Sequence, residues 1–520
     1  MKQHGSLCSA TLLILVLTAL ASCSTPEPKP QLQNSPSVAL RATPSSPGKP
    51  ATTAPVSTLG STDTQPVLVP FSTHALSTTG PYFAHLREEN GAYSVVISDL
   101  LLGGQAAFPL PHDVADQIKY DTGVRNPVVH ISSDSKFYAY EVGDVDPPYD
   151  LELHVVRLEN QQLVASIPLM RNEMSLALSE LATQAASDLA VELSDEPEDI
   201  WQEELLFSLQ AGIRTFEWSP VQPLLAFVGQ IDGPSSDLYV LDPSDPTPRR
   251  LTSGLRNVQR LQWSPNGQWI AHAAAYSVGM ASPLRNYIAA KDGATNLELP
   301  QGGLQAPGWL TSDWYMVNEA SNGPGRFDLK AVRLPNSTFT TLWGGTFSSF
   351  ALDLETSTLV VSVDEPWTYG VERGTYLVDL ATHASRRIGE PLYRLTVWGR
   401  GSDRFLGVDD GVFVIPADGE PRQVLDSPAG VSVSPDRDKV VLFPTLDPGP
   451  VQIFNAVDNT LMLTFSGEVT CVLWSPDSTS FLLVSNESLF SIPSSGGSPR
   501  VVDEDLLADG HSCPVRVVGN

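Results

Sequence analysis

The chain has 520 residues, of which 42% are hydrophobic and 17% charged, with 38 glycines and 43 prolines. That balance argues against a helix-rich protein and for many short strands joined by turns. A net charge of −28 repels DNA, RNA and anionic lipid surfaces, which sets direct nucleic-acid binding aside as a function class.

Residues 1–22 read as a leader, with Lys2 as a weak positive start and an apolar run from Leu12 to Leu20. The run is too short for a stable membrane span. It ends Leu20-Ala21-Ser22-Cys23, which resembles the lipobox of bacterial lipoproteins. The resemblance implies lipidation of Cys23, a membrane held through that lipid alone, and a cell-membrane or cell-surface location facing away from the cytoplasm. Residues 23–66 are rich in Ser, Thr and Pro and poor in residues that bury apolar surface, so they are expected to form a disordered, extended tether.

The folded body is expected over 67–520. Phe83–Leu86, Tyr93–Ile97 and Ala107–Leu110 read as three strands, with Asn90-Gly91 as a turn. A degenerate unit follows, with strands near 128–132, 137–140, 151–156 and 163–167. From Asn172 to Ile213 there is no Lys or Arg, and apolar residues recur at helical spacing: Met174, Leu178, Leu181, Ala185 and Leu189, then Trp201, Leu205 and Leu209. An acidic α-helical insertion is expected at 173–210.

The organising repeat is Phe216-Glu217-Trp218-Ser219-Pro220 followed by Leu225-Ala226-Phe227-Val228. It returns as Trp263-Ser264-Pro265-Asn266-Gly267, as Val433-Ser434-Pro435-Asp436 and as Trp474-Ser475-Pro476-Asp477, each before an apolar strand. Weaker units centre on 131, 309, 352 and 398. A spacing of about 42 residues with this signature means a β-propeller. Adding the N-terminal three-stranded unit gives nine units. Rings above eight blades are uncommon, so the expectation is an all-β fold: one propeller of about eight four-stranded blades, within seven to nine. The N-terminal unit lacks an inner strand, and 514–518 has a strand pattern that would supply it and close the ring.

The copies at 263–267 and 474–477 resemble the repeats of the TolB-like (PD40) propellers, as does Leu238–Asp242 with Arg250-Leu251-Thr252. The resemblance covers most of 125–505 and implies a non-enzymatic, protein-binding propeller outside the cytoplasm. The lipobox, tether, acidic insertion and extra repeats depart from that family.

A Gly-x-Ser-x-Gly elbow, HExxH and a P-loop are all missing from the sequence. No catalytic residue, metal ligand or cofactor is assigned. Asp144–Asp150 has too few calcium-loop features to be read as more than an acidic turn, and His130 and His154 read as packing residues. Cys471 and Cys513 are a candidate disulfide, because both would lie at the same end of neighbouring inner strands. Tyr149, Tyr276, Trp367 and Tyr369, in loops, and Trp201, in the helical insertion, are candidate ligand-face aromatics on the face that carries the blade-to-blade connections. The function expected is a monomeric scaffold for an envelope or extracellular protein, with a carbohydrate-binding module or a propeller-type lyase or hydrolase as alternatives.

Overall fold

The structure, a computed structural model, describes residues 82–518 apart from intervals of which the longest are 111–129, 171–214 and 504–514. Contacts divide the chain into Met1–Gly60 and Ser61–Asn520, and every described residue belongs to the second unit. The leader, Cys23, the tether and the insertion at 173–210 lie outside the described residues.

Among those residues the chain forms nine antiparallel sheets, eight of four strands and one of three. We number them as blades 1 to 9. Blades 2 to 9 begin near 131, 216, 256, 308, 349, 393, 429 and 471, in chain order. Blade 1 is composite: Tyr82–Glu89, Ala92–Asp99 and Gln105–Pro109 come from the N-terminal side, and Val515–Val518 completes the sheet. Val515 sits opposite His85 and Val518 opposite Tyr82, which is the closure expected from sequence.

The count falls at the upper bound of seven to nine, and every unit with a weak signature is a true sheet. In blade 2 the first strand is reduced to one bridge, Ile131 to Tyr138. In blade 5 it is only Gly308–Trp309. Both sheets survive because their second and third strands carry the burial.

The core is divided into nine apolar clusters, one for each pair of neighbouring blades. Alternation along the second strand of each blade explains this. In blade 8, Val440 and Leu442 turn toward blade 7, while Val441 turns toward blade 9. The series closes where Leu482, Val484 and Val502 of blade 9 meet Phe83 and Val515 of blade 1. Ala84 and Leu86 then meet Tyr138 and Tyr140 of blade 2. Second strands are accordingly buried throughout, as in Leu225–Gly229 and Ser480–Ser485. Fourth strands such as Asp245–Arg250 and Ala384–Gly389 are mostly exposed.

The turn between first and second strands has one construction in blades 2, 4, 8 and 9. A serine hydroxyl accepts backbone N–H groups from the far side: Phe137 to Ser132 at 3.0 Å, Trp269 to Ser264 at 3.0 Å, Lys439 to Ser434 at 3.0 Å and Ser480 to Ser475 at 3.1 Å. The same hydroxyl donates to the Asp or Asn two residues on, at 2.6–2.8 Å. The fourth turn residue is left-handed in all four copies: Ser135, Gly267, Arg437 and Ser478, with φ of 57°, 62°, 62° and 59°. At Gly267 a Cβ would also fall 2.5 Å from Ser219 Oγ, so glycine is required there. Blade 6 uses Asp353 in place of serine; its carboxylate accepts from Thr356 Oγ1 at 2.6 Å and from Arg437 at 3.0 Å.

Where a tryptophan precedes the turn, as in blades 3, 4, 5 and 9, it ties blades together. Its indole N–H donates to the backbone carbonyl of the preceding blade, at the residue just before that blade's own anchor. Trp218 reaches His130 at 3.0 Å, Trp263 reaches Glu217 at 2.9 Å, Trp309 reaches Gln262 at 3.4 Å and Trp474 reaches Ser432 at 3.2 Å. Trp398 of blade 7 breaks the series, because its buried Nε1 has no acceptor among the described residues.

Candidate interaction face

The antiparallel sheets place two kinds of connection on one face: second strand to third, and fourth strand to the next blade's first. Three polar groupings there are described.

The first is on blade 3. Asp237 opens the third strand and is buried. Its carboxylate accepts from Thr252 Oγ1 at 2.8 Å and Ser235 Oγ at 3.3 Å, and it pairs with Arg250. Burial holds this carboxyl above the usual carboxylate range, against the opposing pull of Thr252 and Arg250. Thr252 Oγ1 also accepts from Leu238 N at 2.9 Å. The group therefore clamps the connection to blade 4 onto the sheet.

The second joins blades 9 and 1. His85 is fully buried, and its Nε2 lies 2.6 Å from Asp503 Oδ2. Arg87 Nε donates to the same oxygen at 2.8 Å. Asp503 belongs to the outer strand of blade 9 and both partners to blade 1, so this ion cluster spans the seam where the chain closes.

The third is exposed, between blades 6 and 7. Arg373 Nε donates to Asp364 Oδ1 at 3.1 Å, and Tyr393 OH donates to Asp364 Oδ2 at 2.5 Å. Arg387 donates to Glu390 at 2.8 Å and to the Arg373 carbonyl at 3.0 Å. The Tyr393 hydroxyl, with Arg373, holds the Asp364 carboxyl below its ordinary value. Asp364 and Arg373 are the two ends of one connection, so their ion pair is its neck.

Trp367 and Tyr369 belong to that connection and, like Tyr149, Trp201, Cys513 and the acidic stretch 144–150, lie outside the described residues. Tyr276 ends the second strand of blade 4, Trp269–Tyr276. Cys471 is disulfide-bonded. The structure thus places Tyr276 and Cys471 at strand ends on this face. The sequence reading missed all three polar groupings, because their partners lie on different strands or blades and no local motif joins them.

Of the other described histidines, His130 and His272 pack, His154 is paired and His383 is exposed in a turn. The His130 ring lies 4.1 Å from Phe216. His272 is buried against Tyr287, with ring centroids 5.2 Å apart; burial pulls its pKa down to about 4, so it is neutral at physiological pH. His154 pairs with Glu152, whose carboxyl is held low by Ser166 and then His154. Among the described residues, no three His, Cys, Asp or Glu side chains are grouped as metal ligands.

The sheet order and the closed series of interfaces make this chain a nine-bladed β-propeller. No family model matches the chain. No curated protein is significantly similar in sequence. Among solved structures, a eukaryotic initiation factor is similar at 13% identity and a TM-score of 0.49, over 81% of this chain and 95% of that one. A prolyl endopeptidase is similar at 14% identity and a TM-score of 0.37, over 65% and 57%. An oligogalacturonate lyase in complex with manganese is similar at 16% identity and a TM-score of 0.31, over 54% and 84%. At these values none of the three carries an argument about activity.

Proposed function

We propose that this chain is an exported, lipid-anchored propeller that acts as a protein-interaction scaffold in a bacterial cell envelope. The observation that carries the reading is the Asp364–Arg373 neck. It joins the two ends of the connection whose sequence contains Trp367 and Tyr369, and aromatic residues in such a connection suit the anchoring of a partner. The three polar groupings of the same face are spent on internal ion pairs and hydrogen bonds, which favours structural over catalytic use. The repeats at 263–267 and 474–477 resemble the TolB-like propellers, and that resemblance implies protein binding outside the cytoplasm. Cys23 is the lipidation site in this reading, and Cys513 is the partner of Cys471.

Residues 67–520 used as bait on native envelope extract should retain a defined protein. Retention of glycan alone, or turnover of a polysaccharide or peptide substrate, would replace the scaffold with the carbohydrate-binding or lyase and hydrolase alternatives. Cys23→Ala should move the chain from the membrane pellet to the soluble fraction; a variant that still pellets would overturn the anchor.

A further inference from the structure

The first strands are the innermost: those of blades 3 and 4, 6 and 7, and 8 and 9 touch one another across the blade boundary. They therefore line the central channel. Their charge runs opposite to that of the chain. The whole sequence has 59 acidic residues and 31 Lys or Arg. The first strands carry Arg256, Arg260, Arg394 and Arg516 against only Glu217 and Asp353. Both acids are engaged, Glu217 by the Trp263 N–H at 3.3 Å and Asp353 by Arg437 at 3.0 Å.

Two of those arginines are exposed and, among the described residues, have neither an ion pair nor a hydrogen bond: Arg260 of blade 4 and Arg394 of blade 7. Elsewhere in the ring Arg87, Arg250, Arg285, Arg373, Arg387 and Arg437 pair with carboxylates, and exposed arginines without such a pair among the described residues, such as Arg386 and Arg500, lie on outer strands. Each free arginine stands at a break in strand register, after Val258 in blade 4 and after Tyr393 in blade 7. Such bulges re-aim a side chain.

At Arg394 the backbone is forced as well. Tyr393 is bonded to Asp364 at 2.5 Å, and Leu395 N donates to Ser349 Oγ at 3.0 Å while its side chain fills the core between blades 6 and 7. Held on both sides, Arg394 takes φ of 49°. A non-glycine residue in that region costs on the order of 1 kcal/mol, and such strain gathers at functional sites.

We propose that the central channel is an anion-binding site, in which Arg260 and Arg394 take carboxylate or phosphate groups of one polyvalent ligand. Guanidinium groups suit both through paired N–H donors. The two residues stand three blades apart in a ring of nine, so a monovalent anion meets only one of them. The acidic exterior does not forbid this, because charges more than about 8 Å away are largely screened at physiological salt.

Calorimetric titration of the full-length protein at low salt, with tripolyphosphate and with citrate, tests the site; chloride serves as the monovalent control. At least one polyvalent probe should bind, and the one preferred tells phosphate from carboxylate. R260Q and R394Q should each weaken binding about tenfold, with no measurable heat in the double variant. R394G, which relieves the backbone and so guards against misfolding, should behave as R394Q does. R500Q, an unpaired exposed arginine on the outer strand of blade 9, should bind as the unchanged protein. No heat from either probe with the unchanged protein, or full binding by the double variant, would overturn the site.

Discussion

A single donor atom decides how much each anchoring tryptophan contributes. In Trp263→Phe the Glu217 carbonyl loses the indole donor, which costs about 1 kcal/mol beyond the change in packing. Trp398→Phe removes a buried N–H that had no acceptor, so it should cost clearly less. Thermal melts of the two variants compare like with like, and equal losses would show that the indole bond adds nothing. The left-handed turn position gives a second contrast. Ser135 combines φ of 57° with a buried hydroxyl that has no partner. Ser135→Gly should therefore raise stability by about 1 kcal/mol. A lower melting temperature for that variant would contradict the assignment.

At the level of the turn, the carboxylates of Asp436 and Asp477 respond to pH together. Burial pushes each carboxyl up. The serine hydroxyl and backbone N–H groups outweigh it and hold both below the ordinary range. Their contribution is therefore complete above about pH 3.9, the unfolded value, and is lost as pH falls through the lower folded one. Asp436→Asn with Asp477→Asn should lower stability at neutral pH and flatten the acid limb of the melting profile. An unchanged acid limb would assign the loss to other groups. Asp237 acts with the opposite sign, since burial leaves its ionised form disfavoured in the folded chain. These turns were the legible part of the sequence: Ser-Pro before an apolar strand announced blades 3, 4, 8 and 9, with Asp or Asn next in all but blade 3. Blades 5 and 6 were fainter, because Trp309-Leu310-Thr311 and Leu352-Asp353 replace the motif while buried second and third strands remain. The channel arginines were not legible, because nothing local distinguishes Arg260 or Arg394 from a solvated residue until the ring sets them on an innermost strand.

For the whole ring, the seam between blades 9 and 1 is held by Val515–Val518, by the Phe83 cluster and by the Asp503 ion cluster. A chain ending at Asp503 should expose Phe83, Leu482 and Val484, worth about 2 kcal/mol each. It should melt earlier and bind a hydrophobic dye at temperatures where the full chain does not. An identical melt would mean that the seam closes without its last strand. The seam also sets a clock. His85 meets a carboxylate 418 residues away, and its strand waits for a neighbour translated later still. During synthesis the first blade must keep an unpaired inner edge until Val515–Val518 has been made, and contacts of such separation form slowly. Under the export proposed above, that delay serves passage through a membrane channel: the ring is tied last, so the thread stays free to move until then.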